Sequence, residues 1–114
     1  MKKILLALFV IFVSHLRAAE PIRIACIGNS ITYGATIANR FQNSYPSILQ
    51  QMLGETYDVR NFGINGRVLL QKGDYPYMCE NYYKEVKAFL PNIITIKLGT
   101  NDSKPHNWIY GKDF

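Results

Sequence analysis

The sequence is poor in histidine, cysteine and tryptophan, the residues that most often mark metal and redox sites. Two histidines, two cysteines and one tryptophan occur in 114 residues. His106 and the two cysteines do not have the spacing of metal ligands. No glycine loop resembles a phosphate cradle. We therefore predict neither a metal nor a cofactor.

The sequence also has no lasting excess of positive charge. Lysine and arginine total 13 against 8 acidic residues, a net charge of +5. Three of the basic residues, Lys2, Lys3 and Arg17, lie within the first 19 residues, where there is no acid, so the remainder carries 10 basic and 8 acidic residues, a net charge of +2. No basic cluster remains, which excludes the electrostatic footprint of a nucleic-acid partner.

Residues 1–19 have the pattern of a secretory signal peptide. Two lysines precede a ten-residue apolar run, residues 4–13, and a short stretch then ends in Ala18 and Ala19. Such a run rises only about 15 Å as a helix, whereas a bilayer core is about 30 Å thick. We predict export to the periplasm or the medium without stable membrane insertion after cleavage. The alternative is an uncleaved anchor. The two cysteines, Cys26 and Cys79, are expected to remain separate thiols, because one follows a strand pattern and the other a helical pattern.

Strand and helix patterns alternate through residues 20–114. Apolar runs predict strands over residues 22–27 and 93–98, and residues 57–62, which include two charges, are predicted as a shorter strand. Ser44 and Gly54 bound one predicted helix, with Ser44 as its N-cap. A second predicted helix runs over residues 77–90 to Pro91, with an apolar face formed by Met78, Tyr82, Val86 and Phe89. Of its tyrosines, Tyr82 is expected to pack on the sheet and Tyr77 to lie at the surface. This β-α-β-α-β order predicts an α/β fold with a parallel sheet.

Polar residues follow two of the predicted strands. Gly28-Asn29-Ser30 comes directly after the first strand, and Gly99-Thr100-Asn101-Asp102 comes after the third. Because the carboxyl ends of parallel strands open onto one crevice, Ser30 and Asn101 are expected to converge there. A hydroxyl nucleophile beside an amide donor indicates acyl transfer. The structural alternatives are a turn cap for Ser30 and an Asx-turn for Asn101.

At this point the chain resembles the SGNH hydrolases, also called GDSL esterases. Residues 28–31 (Gly-Asn-Ser-Ile), 61–66 (Asn-Phe-Gly-Ile-Asn-Gly) and 99–102 (Gly-Thr-Asn-Asp) resemble three of the four motif blocks of that family, in order. The resemblance implies a three-layer, flavodoxin-like α/β fold. It also implies that Ser30 is the nucleophile and that the oxyanion hole comprises the backbone N–H of Ser30, the backbone N–H of Gly66 and the side-chain amide of Asn101. Gly63 competes with Gly66 for its place, and Asp102 is expected to be a hydrogen-bond acceptor within its loop.

The finer resemblance is to bacterial carbohydrate acetylesterases, including sialate O-acetylesterases. Residues 27–34, 43–46 and 97–105 carry it. It implies a substrate that is an acetylated carbohydrate such as sialic acid. A lipid esterase of the lysophospholipase kind shares every motif and remains an alternative.

Two departures from the family pattern are present. Asn29 stands where the family usually has aspartate, which keeps an acceptor oxygen but loses the charge. No Asp-x-x-His block occurs in the sequence, and His106 has no aspartate three positions before it. We therefore expect residues 20–114 to be the amino-terminal part of an esterase domain, with about three strands and little or no activity alone. The alternative is a noncatalytic remnant that at most binds glycans.

Overall fold

The structure, a computed structural model, describes residues 17–114, so nearly all of the predicted signal peptide lies outside the described residues. Three parallel strands form one sheet, with β1 (Ile22–Gly28) in the centre, β2 (Tyr57–Gly63) on one side and β3 (Ile93–Lys97) on the other. Gly28 lies opposite Gly63 in β2 and opposite Lys97 in β3. The three predicted strands and their parallel pairing are confirmed. The carboxyl ends of all three strands lie at the same end of the sheet.

Short helices connect the strands. They are α1 (Ser30–Tyr33), α2 (Arg40–Asn43), α3 (Tyr45–Leu53), α4 (Asn81–Phe89) and α5 (Pro105–Trp108), with single 3-10 turns at Tyr77–Cys79 and Gly111–Asp113. Within residues 17–114, no helix is both long and apolar enough to cross a membrane.

The predicted helix after Ser44 is confirmed as α3, and so is Ser44 as its N-cap residue, although the Ser44 side chain makes no capping bond. Ser44 occupies the N-cap position and its side chain accepts no bond from the helix backbone. Its hydroxyl lies instead 2.9 Å from the Ser47 hydroxyl and 3.4 Å from the amide nitrogen of Asn61. Ser44 is fully buried, so its hydroxyl bonds to neighbouring side chains rather than to the helix end.

The prediction of one helix over residues 77–90 is wrong at its start. Glu80 has an extended backbone, with ψ of 154°, and it separates the 3-10 turn from α4. Glu80 forms an ion pair with Arg67 at 2.7 Å, and the N–H of Tyr77 donates to the carbonyl of Val68. These contacts tie the turn to the loop after β2, and Met78 is consequently 41% exposed instead of lying on the apolar face.

The core lies between the sheet and α4. Tyr82 packs against it as predicted, with its ring centroid 5.8 Å from that of Phe62. The predicted surface position of Tyr77 is wrong, because this side chain is buried and donates a 2.6 Å hydrogen bond to the carbonyl of Phe62. Burial raises the pKa of the Tyr77 hydroxyl well above its usual range, which keeps it a donor.

The third strand is the exposed side of the sheet. Every residue of β3 is exposed, including Ile93, Ile94 and Ile96, whereas five of the seven residues of β1 are buried. Ile96 also lines an apolar cavity of about 200 Å³ together with Ile27 and Leu69. The sheet therefore has an open, apolar edge along β3.

Candidate active site

Ser30 lies at a sharp turn at the carboxyl end of the central strand. It is the first residue of α1, and the side chain of the N-cap residue Asn29 accepts a 3.1 Å bond from the N–H of Ile31. A Cβ atom at Gly28 would lie 2.0 Å from the hydroxyl of Thr32 and 2.9 Å from the carbonyl of Lys97. Glycine is thus required for the turn, and Asn29 keeps the acceptor function that we expected of it.

The end of β2 holds α1 in place through Asn61. The Asn61 amide donates to the carbonyl of Thr32 at 2.7 Å, and its oxygen accepts from the N–H of Gly63 at 2.9 Å. Gly63 itself approaches α1 so closely that a Cβ atom there would lie 2.2 Å from the nitrogen of Tyr33. Gly63 is therefore a packing glycine whose N–H is already donated.

Gly66 has different surroundings. Its φ is +76°, and a Cβ atom placed on it would meet nothing within 4 Å. A φ in this region favours glycine because an L side chain is strained there. The N–H of Gly66 thus lies in an open turn three residues beyond the end of β2.

Asn101 is brought next to this turn. Its side chain is largely buried, with 9% of the residue exposed, and its amide donates a 3.1 Å hydrogen bond to the carbonyl of Arg67, the residue after Gly66. The second N–H of the same amide is left for another acceptor. The fold thus brings Asn101 next to the Gly66 turn, at the carboxyl end of the sheet, where Ser30 also lies.

Asp102 is a hydrogen-bond acceptor, as predicted, but its donors lie in another loop. Its Oδ1 accepts bonds of 2.8 Å from the N–H groups of both Leu69 and Leu70. The residue is fully buried, and its Oδ2 has no hydrogen-bond partner among the described residues.

His106 is bonded to Asp74. Its Nε2 is 3.0 Å from Oδ2 of Asp74, and its side chain is 59% exposed. Desolvation raises the pKa of Asp74, but hydrogen bonds from Asn107, His106 and the backbone of Tyr75 outweigh it and leave that pKa below its usual value. Asp74 precedes His106 by 32 positions, so the pair does not replace the Asp-x-x-His block.

Several residues around the site were not found from the sequence. They are Arg67 and Asp74, which lie in the loop after β2, and Asn107, which lies in α5. Asn61 stands inside the second motif block, which could have identified it. No periodicity or motif marks Asn107, although it is 1% exposed and bonds to both Asp74 and Asn101. Residues 17–114 contain no group of three or more His, Cys, Asp or Glu side chains that could hold a metal ion.

Comparison with known proteins identifies the class. Residues 26–111 match the model of the GDSL-like Lipase/Acylhydrolase family. The chain therefore belongs to this family, and the resemblance seen in the sequence is confirmed.

One relative and one solved structure are also similar to this chain. The chain is 55% identical over 95 residues to an acetylxylan esterase of Xylanibacter ruminicola, which covers 83% of this chain and 20% of that protein. The chain thus spans about a fifth of the length of this relative. The structure of a mutant of the esterase AlinE4 superposes with a TM-score of 0.51 and 21% identity, over 75% of this chain and 44% of that one. At 21% identity, the similarity to the AlinE4 structure supports the fold alone.

Proposed function

We propose that this chain supplies the nucleophile and the oxyanion hole of an exported serine esterase that removes acetyl groups from a carbohydrate. The observation that carries the proposal is the hydrogen bond from the Asn101 side chain to the carbonyl of Arg67. This bond joins an amide donor to the residue that follows Gly66, and Ser30 begins α1 at the carboxyl end of β1.

In this proposal Ser30 Oγ attacks the acetyl carbonyl, and the carbonyl oxygen becomes negative. The N–H groups of Ser30 and Gly66 and the free N–H of Asn101 donate to that oxygen. We choose Gly66 over Gly63 because the N–H of Gly63 already donates to Asn61. A base takes the proton of the Ser30 hydroxyl and passes it to the sugar oxygen, so that the bond from the acetyl carbon to that oxygen breaks and the sugar leaves as an alcohol. Water then attacks the acetyl-serine, acetate is released and Ser30 regains its proton.

The described residues supply the serine with no base. Of residues 17–114, only His106 is a histidine, and it is engaged by Asp74. A triad serine without its base loses several orders of magnitude in rate. We therefore propose that the chain alone hydrolyses esters very slowly.

The proposed substrate class is an acetylated polysaccharide outside the cytoplasm. Xylan is favoured over sialic acid because the relative at 55% identity is described as an acetylxylan esterase. Export rests on Lys2, Lys3 and the apolar run of residues 4–13. A lipid esterase is the second candidate, because the chain belongs to a family of GDSL-like lipases and acylhydrolases.

The nucleophile and the hole can be tested without the natural base by adding imidazole. We expect the chain in imidazole to hydrolyse p-nitrophenyl acetate faster than its Ser30→Ala variant, which reports the background caused by imidazole alone. Asn101→Ala should lower the Ser30-dependent rate by about 10²- to 10³-fold, the usual effect of losing one oxyanion donor. Ser47→Ala, a serine on α3, is the matched control and should keep the full rate.

Equal rates for the chain and Ser30→Ala, in samples with the same circular dichroism spectrum, would refute the catalytic proposal and favour the glycan-binding remnant. Substrate class is tested in the same imidazole buffer with acetylated xylan, an O-acetylated sialic acid and p-nitrophenyl palmitate. Acetate release from xylan supports the proposal. A preference for the palmitate ester would favour the lipid esterase instead.

A further inference from the structure

Two loops that carry the proposed oxyanion donors are fastened to each other by polar contacts. The first, residues 64–76 after β2, is here called the Gly66 loop, and the second, residues 98–108 after β3, is called the Asn101 loop. One link is the bond from Asn101 to the carbonyl of Arg67. Two further links do not involve the donors themselves.

The first of these links is made by Asn107. Its amide nitrogen donates to Oδ1 of Asp74 at 3.0 Å and to the carbonyl of Asn101 at 2.9 Å, and its oxygen accepts from the N–H of Asp74 at 2.9 Å. Asn107 is 1% exposed. Both of its donors are therefore used. The bond to the carbonyl of Asn101 is buried, whereas Asp74 is itself exposed to solvent. The Asn107 side chain is thus hydrogen-bonded both to the Gly66 loop and to the backbone of Asn101.

The second link is made by Asp102. One carboxylate oxygen accepts the N–H groups of Leu69 and Leu70, both at 2.8 Å, and the residue is fully buried. A buried backbone N–H that loses its acceptor costs free energy, so these two bonds hold Leu69 and Leu70 against Asp102. The backbone of the Gly66 loop is consequently held to the residue next to Asn101.

We propose that Asn107 and Asp102 are positioning residues that fix the separation of Gly66 and Asn101, so that the oxyanion hole exists before substrate arrives. The inference rests on the proposed function. Oxyanion donors stabilise a transition state most when they need no reorganisation. Because these two donors come from different loops, the contacts between the loops act together with the pairing of the strands to set the distance between them.

Kinetics in imidazole provides the first test. We expect Asn107→Ala and Asp102→Ala to lower the Ser30-dependent kcat for p-nitrophenyl acetate by about tenfold to a hundredfold, the range that a displacement of about 1 Å can cost, with KM unchanged. Asp102→Asn retains the acceptor oxygen and should recover most of the rate. The matched control is Asn92→Ala, which removes an asparagine bonded at 2.8 Å to the N–H of Arg23 at the other end of the sheet, and it should keep the rate of the unmodified chain.

Nuclear magnetic resonance provides a second test that needs no catalysis. The side-chain amide signals of Asn101 should shift and exchange faster with water in Asn107→Ala, and they should stay in place in Asn92→Ala. Unchanged Asn101 signals in Asn107→Ala would overturn the positioning role, whatever the kinetics show. If the unmodified chain has no Ser30-dependent rate, the proposed function fails while this measurement still decides the inference. If Asp102→Ala does not fold, Asn107→Ala and Asp102→Asn decide it.

Discussion

At the scale of single residues, four asparagines have four separate tasks around the site. Asn29 caps α1, Asn61 joins β2 to α1, Asn101 faces the Gly66 turn, and Asn107 connects two loops. Sequence motifs led to Asn29 and Asn101 because both follow strand ends. They could not lead to Asn107, whose partners lie 33 and 6 positions away and meet it only in the folded chain.

The two cysteines provide a prediction at the same scale. They are free, as expected, with Cys26 fully buried in β1 and Cys79 exposed. Burial raises the pKa of the Cys26 thiol, and only a thiolate that reagent can reach reacts rapidly. We expect one thiol per chain to react with iodoacetamide in the native protein and two in denaturant, counted by mass spectrometry. Cys79→Ser should leave no fast-reacting thiol, and rapid native labelling of Cys26 would contradict the burial.

At the scale of elements, the strands were predictable and the boundaries of one helix were not. The strands β1 and β3 depend on local apolar runs followed closely by glycine, which the sequence displays directly. The break at Glu80 depends on its ion pair with Arg67 and on the bond from Tyr77 to Val68. Both partners lie in the loop after β2, so helical periodicity alone continues through Glu80 without interruption.

The bond between the 3-10 turn and β2 is testable by removing one oxygen atom. Tyr77→Phe leaves the carbonyl of Phe62 buried without its donor. We expect the free energy of unfolding in urea to fall by about 1 to 3 kcal/mol. Tyr75→Phe is the matched control, because Tyr75 is 57% exposed and loses no buried bond. Equal effects of the two substitutions would mean that the Tyr77 hydroxyl does not stabilise the turn.

At the scale of the whole molecule, the exposed apolar strand β3 is the feature that most favours self-association. Ile94 is 49% exposed and Ile96 is 64% exposed in β3, which lies at the edge of the sheet. Exposed apolar edge strands readily pair with other chains, and a lysine on the edge opposes this.

We therefore expect the chain to self-associate with rising concentration, and Ile96→Lys to reduce that association in sedimentation velocity experiments. Met52→Lys adds the same charge at a residue that is 79% exposed on α3 and serves as the control. Reduction by both variants to the same degree would show that net charge, rather than the edge of β3, governs association.

The sequence by itself determined the order of strands and helices, the family, and the two strand ends that carry Ser30 and Asn101. It could do so because strand runs, glycine turns and motif blocks are local and need no partner to be recognised. The tertiary structure decided that Tyr77 is buried, that Gly63 packs while Gly66 stays open, that His106 is bonded to Asp74, and that Asn107 and Asp102 fasten two loops. Each of these depends on contacts between residues distant in the chain, which exist only once β2 and β3 have paired with β1.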